Sequence, residues 1–139
     1  MSDLTRFIEA QNRSYDTALR EIKAGSKRSH WMWYIFPQLA DLGRSRTAKY
    51  YAIRDIDEAK AYLVHPVLGA RLSEISEALL LHKGTAPERI FGSVDALKLR
   101  SSATLFERTS VGDDTVFGEL LEGFYAGQRC ALTEQLLAR

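Results

Sequence analysis

Leu68-Gly69-Ala70-Arg71-Leu72-Ser73-Glu74-Ile75-Ser76-Glu77-Ala78-Leu79-Leu80 sets Leu68, Leu72, Ile75 and Leu79 at steps of four, three and four. Those steps follow the 3.6-residue turn of an α-helix, so the four side chains form one apolar stripe on a helix that runs on toward Gly84. Pro66 stands just ahead of it. It halts the preceding run from Asp57 to Val64 and is expected to open the new helix, because a first-turn proline forfeits no helical hydrogen bond.

The same period extends outward in both directions. Toward the amino terminus, Phe7, Ile8, Ala18, Leu19 and Ile22, with Tyr15 on the same side, predict a long helix capped by Ser2 or Asp3 and ending near Gly25. Lys27 to Phe36 is too aromatic for a solvent loop and reads as a short helix or a buried extended segment ended by Pro37. Ser45 caps a stretch through Tyr50, Tyr51-Ala52-Ile53 is the one short extended piece, and a helix restarts at Asp55 to Asp57. Toward the carboxyl terminus, Pro87 starts a turn reaching Phe91 and Gly92 breaks it. Val94, Leu97, Ser101 and Leu105 are expected to form one face of the next helix, with Ser101 its odd polar member. Phe117, Leu120, Leu121 and Phe124 line a helix closed by Gly127, and Leu132 with Leu136 fit a terminal one. No linker or repeat divides the chain. The expectation is therefore one all-α domain over residues 1–139, of six to eight helices with at most one short extended segment.

Composition narrows the function. A chain of 139 residues that is 45 % hydrophobic can bury a continuous core. Its 19 basic and 18 acidic residues nearly cancel, which leaves no overall field for nucleic acid or an anionic membrane. No apolar run approaches the roughly 20 residues that span a bilayer, the start has no signal-peptide pattern, and one cysteine, Cys130, precludes an internal disulfide. Cytoplasm is the expected compartment, and Cys130 reads as a small apolar filler. His30, His65 and His82 have no second ligand at helical spacing, so no metal is expected. No phosphate loop, dinucleotide fingerprint or nucleophile elbow occurs, and no cofactor is expected. For His65 and Arg71 the expected roles are capping and surface pairing.

Two constellations remain. Residues 27–38 gather Lys27, Arg28, His30, Trp31, Trp33, Tyr34, Phe36 and Gln38. Such rings either anchor a core or wall a pocket, with cations for phosphate and His30 and Gln38 for directional hydrogen bonds. Residues 95–106 put Asp95, Lys98 and Ser102 on one helical stripe, with Ser101 on the apolar side. These form either an exposed ion pair with hydroxyls bonding back to the helix, or an anion cleft.

At these residues the chain resembles a known family. Gly25-Ser26-Lys27, Ser29-His30-Trp31-Met32-Trp33-Tyr34-Ile35-Phe36-Pro37-Gln38-Leu39, His65-Pro66, Ile90-Phe91-Gly92, Lys98-Leu99, Ser101-Ser102 and Thr104-Leu105-Phe106 resemble the signature of domain of unknown function 1810. The likeness covers nearly the whole chain and departs from the family pattern at Ala103, where Met is expected, and at Cys130, where an acid is expected. It implies a compact, mostly helical domain and no particular chemistry. The calpastatin-like label given to some members implies a disordered polar inhibitor, whereas this composition builds a core. A fainter analogy links the tryptophan-rich segment and Leu132-Thr133-Glu134 to the domain family associated with NAD and ADP-ribose metabolism, which includes N-glycosidases. That chemistry requires a carboxylate, for which Asp95 and Glu58 are candidates, together with an aromatic wall and phosphate-binding cations.

The expected function is binding or hydrolysis of a small phosphorylated, ring-bearing metabolite of nucleotide or ADP-ribose type, with N-glycosidic cleavage if catalytic. Lys27 and Lys98 hold the anion, Trp31 and Trp33 stack, Gln38, Ser101 and Ser102 orient, and His30 or Asp95 moves the proton. The alternative is an interaction module or homodimer that uses the aromatic segment 30–36 as its interface.

Overall fold

The computed structural model describes residues 3–110 and 115–138. Among them are nine helices: α1 Thr5–Ala24, α2 Met32–Ile35, α3 Arg46–Tyr50, α4 Ile56–Val64, α5 Leu68–Leu80, α6 Pro87–Phe91, α7 Ser93–Thr109, α8 Val116–Tyr125 and α9 Ala131–Leu137. That is one more than the sequence led us to expect, because the short pieces α2, α3 and α6 are each helical in their own right. Of the expected extended piece Tyr51-Ala52-Ile53 only Ile53 pairs, in a parallel bridge with Leu39, and no strand occurs among the described residues. No helix among the described residues is long and apolar enough to cross a membrane.

The stripe on α5 is buried as its spacing requires, with Leu68, Leu72, Ile75 and Leu79 no more than 2 % exposed. Pro66 does not open that helix. It sits in the turn, and His65 Nδ1 accepts from the Val67 and Leu68 N–H groups at 3.1 and 3.2 Å, so the imidazole satisfies donors that have no carbonyl partner. Gly69 is where α5 meets the end of α4: a Cβ built there lies 2.0 Å from the Leu63 carbonyl oxygen, so only glycine permits this approach. Helix α1 begins just after Asp3, whose Oδ1 accepts from Thr5 N–H at 2.9 Å, and ends at Gly25. Ser2, the other expected cap, lies outside the described residues.

Helix α7 packs on α4, α6, α8 and α9. A relay of rings crosses the core from α1 to α8: Phe7 to Tyr62 at 5.2 Å, Tyr62 to Phe106 at 5.3 Å, and Phe106 to Phe117 at 5.7 Å. Each such ring stabilises the fold by roughly 1.5–3 kcal/mol through burial alone. The expected face of α7 enters this core only over its second half, where Ser101 and Leu105 are buried. Ala96, Leu99, Ala103 and Phe106 are buried, whereas Val94 and Leu97 are 65 % and 58 % exposed. From Ser101 to Phe106 every residue is buried, so the two sides of α7 differ only over its first turns.

Polar groups tie the short helices down. Gln11, buried in α1, donates to the Tyr34 carbonyl at 2.8 Å and to Tyr62 Oη at 2.9 Å. The buried Glu58 carboxylate accepts from Arg6 Nη2 and from Arg54 N–H, both at 2.9 Å. Glu58, one of the two candidate carboxylates, is thus a structural anchor between α1 and α4.

Candidate functional site

The segment after α1 is organised by Glu21. Its carboxylate accepts from Arg28 N–H, Ser29 N–H, Ser29 Oγ and Trp31 Nε1 at 2.6–3.0 Å. Burial pushes this carboxyl up, but the hydrogen bonds from Ser29, Arg28 and Trp31 outweigh it and hold the group at about 2. Trp31 is accordingly fixed in the core, 1 % exposed, with Phe36 and Phe91 at 6.3 and 6.4 Å. Met32, Ile35 and Phe36 are buried with it. Trp33 and Tyr34 keep partial exposure, and His30 is exposed.

Beyond Trp31 the cations and rings form a connected array. Lys27 Nζ lies 4.9 Å from the Trp31 ring centre and 2.9 Å from Asp95 Oδ2. The other carboxylate oxygen of Asp95 stands 3.6 Å from Lys98 Nζ, which lies 5.4 Å from the Trp33 ring centre. Asp95 therefore bridges the two constellations that the sequence left separate. Lys27, only 8 % exposed and also donating to the Ser29 carbonyl, is part of the structure rather than an open anion holder.

On the far side of Lys98 a cleft of about 530 Å³ opens between the loop 38–45, α3, α7 and the start of α9. Its volume falls in the usual range for small-ligand sites. Several local features build it. The bridge bonds Ile53 N–H to the Gln38 carbonyl at 2.8 Å and Ala40 N–H to the Ile53 carbonyl at 2.7 Å, which fixes Gln38 at the rim. Ser45 Oγ caps α3 by accepting from Ala48 N–H at 3.0 Å, and Gly43 passes so close to Ala48 that an added Cβ would stand 2.5 Å from that side chain. At the opposite wall, Arg129 makes two bonds to Glu107 at 2.7 and 3.0 Å, and Cys130 N–H donates to Thr104 Oγ1 at 3.0 Å. These contacts seat the start of α9 against α7.

The lining divides by chemistry. Among the described residues Arg44, Lys98 and Arg100 are its charged members, with no aspartate or glutamate. Within the described residues neither arginine forms an ion pair, and Arg100 Nε is buried with no acceptor. Gln38, Ser45, Ser101 and Cys130 add polar atoms, while Leu42, Val94, Leu97 and Leu132 form an aliphatic wall. No aromatic residue among the described ones lines the cleft; Trp33 backs it, across a crevice of about 10 Å³ shared with Gln38 and Lys98. Cys130 is no core filler but a half-buried group in the cleft, with Ser101 Oγ at 3.4 Å from Sγ. Burial pushes its thiol up, yet hydrogen bonds from Ser101 and from the Thr133 and Leu132 N–H groups bring it below the ordinary value.

Of the residues singled out in the sequence, Gln38, Lys98 and Ser101 thus meet in one cleft. Lys27, Asp95 and Trp33 stand behind it. Trp31 is core, and Ser102 is 1 % exposed, its hydroxyl without a partner among the described residues. Arg44, Ser45, Arg100 and the aliphatic wall were not singled out. The signal for Arg100 lies in its spacing, three residues on from the exposed Leu97 and so on the same side of α7. Other depressions offer less. One of about 470 Å³ at α4, α5 and α8 holds Lys60 as the one charged group among the described residues, and one of about 420 Å³ mixes Glu107, Glu119 and Glu122 with Lys83 and Arg129.

This architecture is shared. Residues 1–137 match the family described as Protein of unknown function (DUF1810). The chain belongs to that family. A solved member of the same fold is the conserved hypothetical protein Rv1873 from Mycobacterium tuberculosis. It is 44 % identical to this chain and superposes with a TM-score of 0.95 over 99 % of this chain and 97 % of its own. No curated protein matches the chain. DUF1810 membership and the likeness to Rv1873 therefore establish the helical fold, while the chemistry must be argued from the cleft.

Proposed function

We propose that the chain binds a small phosphate-bearing ligand in the cleft between the loop 38–45, α7 and α9. Arg44, Lys98 and Arg100 hold the anion, and Gln38 and Ser101 orient it. The observation that carries this reading is a concave lining with three cationic side chains and no carboxylate, two of them arginines with no ion-pair partner among the described residues. Arg100, whose guanidinium carbon lies 5.9 Å from the Tyr125 ring centre, has its charge neutralised by no carboxylate among the described residues.

Binding fits this geometry better than hydrolysis does. N-glycosidic cleavage needs a carboxylate at the reacting carbon, and Asp95 is turned toward Lys27 and Lys98 behind the cleft. Stacking of a ring has support only at Trp33, because Trp31 has no accessible face.

The test is a thermal-shift panel of inorganic phosphate, nucleotides, ADP-ribose and sulfate, with Lys98→Met and Arg100→Met alongside. A ligand at 100 times its dissociation constant stabilises by about 2.7 kcal/mol. The reading expects such a shift from phosphate-bearing compounds and its loss in both variants. Equal shifts in wild type and variants, or none from any phosphate, overturn it.

A further inference from the structure

The aliphatic wall is unusual for its exposure. Val94 and Leu97 are 65 % and 58 % exposed, and Leu132 is 51 % exposed, yet all three converge on the cationic cleft. Exposed Leu81 and Val64 are not among its lining, and scattered single residues of that kind need no explanation. Three that share a concave surface with Leu42 make a continuous apolar strip with no covering segment among the described residues.

Charge and apolar surface are also ordered along α7. Val94 and Leu97 come first and Arg100 with Ser101 follow, so the apolar and cationic ends lie up to roughly 9 Å apart at 1.5 Å of rise per residue. No aromatic residue among the described ones lines the cleft, so a flat base gains nothing there that a hydrocarbon does not. A ligand complementary to both parts has an anionic head and an aliphatic tail.

We propose that the cleft takes an aliphatic anion: a phosphate or carboxylate head on Lys98, Arg100 and Arg44, with a short hydrocarbon chain lying on Leu97, Val94 and Leu132. This rests on the anion-binding reading above and narrows its ligand class. Solvent-exposed apolar side chains beside a cation cluster gain from burial under such a chain what no inorganic anion supplies.

Isothermal titration with inorganic phosphate, methyl, butyl and hexyl phosphate, hexanoate and AMP tests it. Full burial of a methylene is worth about 0.8 kcal/mol, or about fourfold in affinity; on this open wall the expected gain is about twofold per methylene from methyl to hexyl phosphate. Leu97→Ser and Leu132→Ser, both at exposed positions, flatten that dependence. Hexanoate against hexyl phosphate tells which head the cations prefer, and tight binding by either one supports the proposal. If phosphate binds but chain length has no effect, or AMP binds more tightly than hexyl phosphate, this inference is overturned and the phosphate-binding reading stands. If none of the anions binds, both fall.

Discussion

Asp95→Asn removes one charge from the Lys27–Asp95–Lys98 array and changes almost nothing in shape. The Lys27 ammonium, 8 % exposed and 2.9 Å from Asp95, then remains in place without its carboxylate. Breaking a buried pair from one side costs about 3–5 kcal/mol, because the surviving charge is left desolvated. Lys27 keeps the Ser29 carbonyl and the face of Trp31, which places the expected cost at the lower end, about 3 kcal/mol. Lys98, at 24 % exposed and 3.6 Å away, adds little, as half-exposed pairs do. Against a typical stability of about 5–15 kcal/mol the change is large. Urea unfolding measures it as a lower midpoint at unchanged slope. Lys27→Met with Asp95→Asn recovers most of the loss, since no unpaired charge stays behind. A loss under about 1 kcal/mol, or additive single and double variants, refutes the reasoning and means that Lys27 reaches solvent unaided.

Three further outcomes follow from local geometry. Gly69→Ala should destabilise although alanine is the better helix former by about 1 kcal/mol. The 2.0 Å approach to the Leu63 carbonyl must open by over 1 Å to reach an ordinary contact of about 3.3 Å; a thermal midpoint at or above wild type contradicts this. Glu21, held at about 2 against an ordinary 4.5, contributes stability that is fully present above pH 4.5 and is lost as pH falls through about 2. Urea midpoints of wild type and Glu21→Gln should therefore converge in acid, and a constant gap from pH 7 to pH 2 sinks the assignment. The Cys130 thiol should be alkylated by iodoacetamide with a midpoint below the ordinary 9.0, moving up in Ser101→Ala; a midpoint of 9.0 or higher counts against the hydrogen bond.

Much of the fold was legible because helix ends and stripes are local. Ser45, Asp55 and Gly25 stand at the helix ends where the sequence set them, and the α5 stripe is buried throughout. The α7 face is only half legible, because Val94-Leu97-Ser101-Leu105 and Ala96-Leu99-Ala103-Phe106 have equally good helical spacing, and the first set is exposed at Val94 and Leu97 but buried at Ser101 and Leu105. The same ambiguity hid the cleft, since Arg100 is noticeable only when the exposed face is known. The role of Glu21 had no sequence signal, because its four donors are arranged by a loop that only the tertiary contacts define. By residue type Trp31 suits a core or a pocket wall equally, and its burial follows from the Glu21 bond and from packing on Phe36 and Phe91.

The most direct test of the anion cleft is a nitrogen–proton NMR titration of the wild-type protein with inorganic phosphate at low salt. The account predicts saturable shifts confined to the backbone of residues 38–48, 97–101 and 130–132, absent in Arg100→Met. Shifts centred instead on Lys60 or Lys83, or unsaturable drifts spread over all basic residues, would contradict it.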